Sequence, residues 1–242
     1  MMTFLLLVFM YLPLKAERLN FRFDARKNKI LMTNFIPIFP LGIVVYPQEQ
    51  LNLHIFEPRY KQLISECVAD KKPFGIPAVI NKKIVEYGTL VEVVRVEKEY
   101  ENGEMDIVTR GLSVFRVLEV IRSIPDKLYD GAIVNYPENS TKTNARLRQQ
   151  VLHAIRELHH ILQVNKSFGK KDEELSAYDL AHHAGLSLEE EYELLHLFQE
   201  MQRLEYLKRH LLKVIPLMAE MEKLKERVKL NGHFRNLSAE GL

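Results

Sequence analysis

In "QLNLHIF" (50–56), apolar Leu51, Leu53 and Ile55 alternate with Asn52 and His54. A period of two marks a half-buried β-strand. Similar alternation, or short β-branched runs, predicts strands over 35–38, 42–46, 50–56, 74–80, 88–98, 104–110, 112–121 and 131–136. Within "GTLVEVVRVEKEYENGEMDIVTRG" (88–111), Asn102-Gly103 separates two β-rich runs. Both residues tolerate positive φ, which predicts a hairpin. "TRG" (109–111) predicts a second turn, and so three consecutive antiparallel strands. Val91 and Val93 on one side, with Leu90, Val94 and Val96 on the other, make the first of these apolar on both faces. The sheet is therefore expected to be covered on both sides or closed into a small barrel.

A helix is expected inside this β-rich region, over 58–69. Tyr60, Leu63, Ile64, Cys67 and Val68 fall at i, i+3, i+4, i+7 and i+8, one apolar face. It starts directly after the third strand of the region at "EPRY". Pro58 suits a first helical turn and keeps Glu57 out of the α region. Glu57 is then placed to accept free N–H groups, worth on the order of 1 kcal/mol. Arg59 faces away from the apolar stripe, free for an acidic neighbour. Cys67, on the stripe, reads as a small buried hydrophobe.

From about residue 144 the period becomes helical. "NARLRQQVLHAIRELHHILQV" predicts one helix and "DEELSAYDLAHHAG" a second, with Ser176 and Asp179 at capping-box spacing and Gly185 as its stop. Ser187 and Glu190 repeat that spacing at the start of a long third helix, which Pro216 should break or kink. The layout is a β-domain (35–137), a helical domain (144–230) and an irregular tail (231–242). Strands followed by helices point to an α+β fold.

"TFLLLVFMYLPL" (3–14) is too short to span a bilayer, and its basic residues follow the apolar run where a signal peptide has them first. Folded patterning begins just after Met32. Residues 1–31 are read as the product of a start assigned too early, the alternative being a short membrane or signal segment. With Met32 as the true start, nothing in the chain calls for a membrane.

Charge narrows the partners. Residues 1–35 carry six basic and two acidic groups, and the rest of the chain is slightly acidic. That balance argues against the broad positive surface that nucleic acid requires. The single cysteine excludes an intramolecular disulfide framework and a multi-cysteine zinc site, and favours the cytoplasm. No phosphate loop, G-x-G-x-x-G, H-E-x-x-H or G-x-S-x-G motif occurs. The adjacent pairs His159/His160 and His182/His183 diverge by about 100° on a helix, a poor chelating arrangement. No catalytic residue, metal ligand or cofactor is therefore assigned.

The order of "IPIFPLGIVVYPQEQLNLHIFEPRY" (36–60), "FGI" (74–76), "GTLVEV" (88–93) and "TRGLSVFRVLEV" (109–120) resembles the Lon protease (protease La) N-terminal domain family. Pro37, Phe39, Pro40, Leu41, Pro47 and the run Leu53–Tyr60 carry the likeness, with Asn52 where the family usually has proline. "LAHHAGLSLEEEYELLHLFQEMQRLEYLKRHL" resembles the helical part that follows, so the likeness covers about 35–225. It implies a PUA-like β pseudo-barrel followed by a helical bundle with a long C-terminal helix. It also implies a stand-alone, non-catalytic substrate-recognition module, since the family's ATPase and Ser–Lys protease modules have no counterpart here.

Protein clients or a protein partner are thus the expected ligands, possible roles being quality control or service as an adaptor to a separate protease. Homo-oligomers stay open. RNA binding is the alternative, resting on the PUA-like fold and on Lys71, Lys72, Lys82 and Lys83. The motif positions His54, Phe56, Glu57, Pro58, Arg59, Tyr60, Arg110 and Gly111 are read as mainly structural, with a binding role open for His54 or Arg59. Met201, Met218 and Met221 are the expected protein-contact positions, because methionine suits adaptable surfaces.

Overall fold

The computed structural model describes residues 34–237, with side chains through 228. The early start or apolar leader expected at 1–31, and residues 238–242, lie outside the described residues. Among the described residues there are six strands: β1 (Asn34–Pro37), β2 (Gln50–Ile55), β3 (Phe74–Ile80), β4 (Lys83–Glu99), β5 (Met105–Ile121) and β6 (Gly131–Asn135). They form one antiparallel sheet in the order β1-β6-β5-β4-β3, with β2 paired to the first half of β5. Backbone bonds from Phe39 to Gly75 (2.8 Å), Leu41 to Pro77 (3.2 Å) and Val79 to Leu41 (2.8 Å) join the chain after β1 to β3 and close the barrel.

Helix α1 (Pro58–Asp70) covers one side of the sheet. Tyr60, Leu63, Ile64 and Cys67 pack with Phe39, Phe74, Ile76, Val91 and Ile107. A second cluster gathers around Phe115, with Ile36, Ile38, Ala132 and Val134. The remaining helices are α2 (Ala145–Ile161), α3 (Ala177–Ala181), α4 (Leu188–Leu195) and α5 (Glu200–Leu237), with a 3-10 turn at Asp172–Glu174. Their core takes in Val44, Tyr46, Ala78 and Val114 from the barrel, so barrel and helices share one apolar interface. The architecture is α+β.

Several boundaries differ from expectation for identifiable reasons. Residues 42–46 are not a strand; Val44 and Tyr46 face the helical core while Val45 faces the α1 cluster. Their alternation is used in packing without a hydrogen-bonded ladder. "TRG" is no turn, and β5 runs straight through it. A Cβ on Gly111 would lie 2.1 Å from the Tyr46 carbonyl oxygen, so this glycine admits a neighbouring backbone. Gln48 N–H donates to the Gly111 carbonyl, and Gly111 N–H to that of Glu49.

The helix expected from Ser187 onward is two helices. Between them Ser140 N–H donates to the Phe198 carbonyl and Glu200 N–H to that of Ser140, so the connector from the barrel wedges into the break. Pro216 does not end α5. Leu212 and Pro216 are both exposed, so the carbonyl that proline leaves unbonded lies on the solvent side. The helix continues to Leu237, into the stretch expected to be irregular. Both capping boxes form, at Ser176/Asp179 and Ser187/Glu190. The helix expected up to Gly185 is only α3, which ends at Ala181 with His182 as its cap; Gly185 takes a positive φ (73°) in the turn beyond it.

Candidate functional site

The motif residues of "LHIFEPRY" do not converge on one another. Tyr60 is buried and stacks on Phe39 with ring centroids 3.8 Å apart. Glu57 caps α1 by backbone alone; its side chain makes no cap bond. The carboxylate instead accepts from Arg59 (2.9 Å to Nε), whose guanidinium lies 4.6 Å over the Tyr60 ring. The expected carboxylate cap is therefore absent: Arg59 holds the carboxylate, and the Tyr60 N–H goes to the Glu57 backbone carbonyl at 3.0 Å. Pro58 itself opens the helix as expected. Arg110 pairs with Glu92 across β4–β5 and stands opposite Gln50, four residues along the ladder from His54 and Asp106. Gly111 serves the close approach of Tyr46.

His54 and Phe56 form a separate surface group. His54 Nδ1 lies 2.7 Å from Asp106 Oδ1, and Tyr100 donates to Asp106 Oδ2 at 2.8 Å. These two bonds, His54 first, hold the Asp106 carboxyl below its usual range. Phe56 is exposed and its ring lies 6.0 Å from His54. No nucleophile stands beside this pair among the described residues, so the geometry is that of an anchored imidazole.

On α5, Met201 and Met221 are exposed, whereas Met218 packs against the helical core. The larger feature is a stripe that methionine counting overlooked. Leu217, Met221, Leu224 and Val228 are all about half exposed or more. Their spacing of four, three and four residues sets them along one side of the helix, the seam spacing of paired helices. Of the basic pairs, Lys72 is bonded to Asp70 at 2.7 Å.

The joint between barrel and helices is built from residues no local pattern marked. His182 places Nδ1 2.7 Å from Glu191 and Nε2 3.1 Å from Glu49. Both ring nitrogens face carboxylates, so both are donors and the ring is an imidazolium. Burial works against that charge, but the bonds to Glu191 and Glu49 outweigh it and raise the pKa to about 10. Tyr46 closes the clasp, its N–H donating to Glu49 and its hydroxyl to the Glu191 carbonyl.

Beside it, buried Arg203 donates to Glu200, Asn139, and the carbonyls of Leu197 and Ser140, with Tyr178 stacked at 4.2 Å. The signal for this network was a charged pair, Glu200 and Arg203, on the apolar side of a predicted helix. A cleft of about 560 Å³ opens at the joint. Cys67 is buried, which pushes its thiol up to about 11 and makes it a poor nucleophile. Among the described residues no cluster of three or more His, Cys, Asp or Glu could hold a metal ion, and no helix is long and apolar enough to cross a membrane.

Residues 36–213 match the family model of the ATP-dependent protease La (LON) substrate-binding domain. Two solved structures are similar in fold. A Lon N-terminal domain protein from Xanthomonas campestris is 23% identical, with a TM-score of 0.56, over 72% of this chain and 96% of that one. The N-terminal domain of a Mycobacterium avium complex Lon protease is 14% identical, also with a TM-score of 0.56, over 74% of this chain and 98% of that one. At these identities the structures speak for the fold, while the family model spans most of the sequence. The chain belongs to the ATP-dependent protease La (Lon) substrate-binding domain family.

Proposed function

We propose that this chain is a non-catalytic protein-binding module that engages an apolar helical segment of a client or partner through the exposed face of α5. The observation that carries the reading is the stripe of Leu217, Met221, Leu224 and Val228. Solvated apolar side chains in register along a helix lower their free energy by pairing with another apolar helix. Glu220 and Lys225 flank the seam, where they can set orientation. Family membership supports a protein substrate as the ligand; delivery of that substrate to a separate ATP-dependent protease is the role this reading adds.

Binding of a permanently unfolded, fluorescently labelled reporter protein tests the reading. Leu217→Ser combined with Leu224→Ser should weaken binding at least tenfold with unchanged melting, because both side chains are already in water in the free protein. Undiminished binding by that variant overturns the α5 surface as the site. Failure of the wild-type protein to bind any unfolded reporter overturns the module itself.

A further inference from the structure

The cleft at the joint contains a cation that the fold does not use. Arg148, in the first turns of α2, lines it together with Gln48, Ser113, Thr141 and Thr143. Its Nε is shut off from solvent and has no hydrogen-bond partner in the protein. A sequestered donor without an acceptor is costly, and native proteins keep few of them. The other cations of the cleft are satisfied: Arg203 by Glu200, and Lys170 by Asp179 at 2.5 Å.

The surroundings of Arg148 define what would satisfy it. Its guanidinium is a planar fork that matches a carboxylate in two parallel bonds. Glu173 and Glu174 stand exposed on the rim, where they repel a multiply charged anion such as phosphate far more than a single carboxylate. Gln48, Ser113, Thr141 and Thr143 offer one amide and three hydroxyls, suited to peptide N–H and C=O groups. Pro47, Leu112 and Leu175 add an apolar wall for a side chain. A volume of about 560 Å³ falls within the usual range of small-ligand sites.

We propose that this cleft binds the C-terminal carboxylate of a peptide chain, with Arg148 holding the carboxylate and the hydroxyl-lined wall holding the last amides. The proposal rests on the protein-binding reading above and adds a second, chemically distinct contact to it. The α5 stripe would recognise apolar surface, and the cleft a chain end.

The test uses the whole chain and reads the Arg148 Nε–H signal by NMR during titration with the peptide acetyl-Ala-Ala-Leu-Ala as its free acid. The free acid should shift that signal saturably. The C-terminal amide of the same peptide should bind at least tenfold more weakly, and Arg148→Lys, which keeps the charge and loses the fork, should weaken the free acid at least tenfold. No shift with the free acid overturns the proposal, and this outcome is read on the wild-type protein without any variant having to fold. Equal binding of an amidated peptide with an internal glutamate overturns the chain-end assignment. Tighter binding of inorganic phosphate than of the peptide overturns the carboxylate assignment. If the peptide fails while the unfolded reporter still binds, the cleft proposal falls and the protein-binding reading stands.

Discussion

Glu49 and His182 meet across the joint between the barrel and the helices, with Oε1 3.1 Å from Nε2, although 133 residues separate them in sequence. His182 also holds Glu191, so one imidazolium ties the loop before β2 to α4. The folded pKa, about 10, lies above the unfolded value near 6.5. A raised value means that the charged form favours folding. The contribution is complete below about pH 6.5 and is lost as pH rises through about 10. His182→Gln should therefore be less stable than wild type at pH 6, and the gap should shrink steadily by pH 10. Urea unfolding at several pH values checks this; a gap independent of pH would mean that His182 acts only by packing, tilted, against the Tyr46 ring.

Arg203 offers a sharper loss. It and Glu200 are almost fully buried, and every bond of the guanidinium is made within the protein. Removing one member of a buried pair strands the other charge, which costs about 3–5 kcal/mol. Arg203→Met should lose that much in chemical denaturation. Adding Glu200→Gln should restore part of it, since the neutral amide needs no counter-charge. Loss from the double variant equal to or greater than that from the single one would show that the connector through Asn139 and Ser140, and not the charge pair, dominates.

Gly111 and Gly42 separate two roles for glycine. A methyl on Gly111 meets the Tyr46 carbonyl oxygen at 2.1 Å, whereas a methyl on Gly42 meets nothing within 4 Å. Gly111→Ala must push apart β5 and the segment that carries the His182 clasp. Overpacking of this kind costs about 1–3 kcal/mol or more. Thermal melting should drop for Gly111→Ala and stay within a few degrees of wild type for Gly42→Ala.

The same contrast explains what the sequence made legible. The hairpin at Asn102-Gly103, the α1 stripe from Tyr60 to Cys67 and both capping boxes depend on residues close in sequence, and they were readable. "TRG" had the composition of a turn, but its glycine answers to Tyr46, some 65 residues away. Long-range contact also split the predicted helix at 196–199, where Ser140 enters from the barrel side. The joint was invisible for this reason: Tyr46, Glu49, His182 and Glu191 carry no shared period. The α5 stripe, in contrast, was present as spacing. Attention to methionine chemistry selected Met218, which is packed, and passed over Leu217, Leu224 and Val228, which are exposed.

Glu57 and Ser176 bring the contrast to a single measurement. From sequence, Glu57 before Pro58 is a helix cap worth on the order of 1 kcal/mol. In the structure its carboxylate serves Arg59, and both side chains are partly solvated, Arg59 at 50% and Glu57 at 39% exposure. Exposed pairs of this type contribute about 0.2–1 kcal/mol, with the screened ones at the low end. Ser176 has the bonds that Glu57 lacks. Its hydroxyl accepts from the Asp179 N–H, and the Asp179 carboxylate accepts from the Ser176 N–H at 2.9 Å. That cap also stands at the start of α3, directly beside the buried contact from Ala177 N–H to Glu200. Ser176→Ala should accordingly cost about 1 kcal/mol or more, and Glu57→Ala less than half as much. Paired urea titrations decide the order. If Glu57→Ala proves the costlier, its carboxylate must leave Arg59 and reach the α1 backbone in solution, and the opening of α1 would be capped as its sequence suggests.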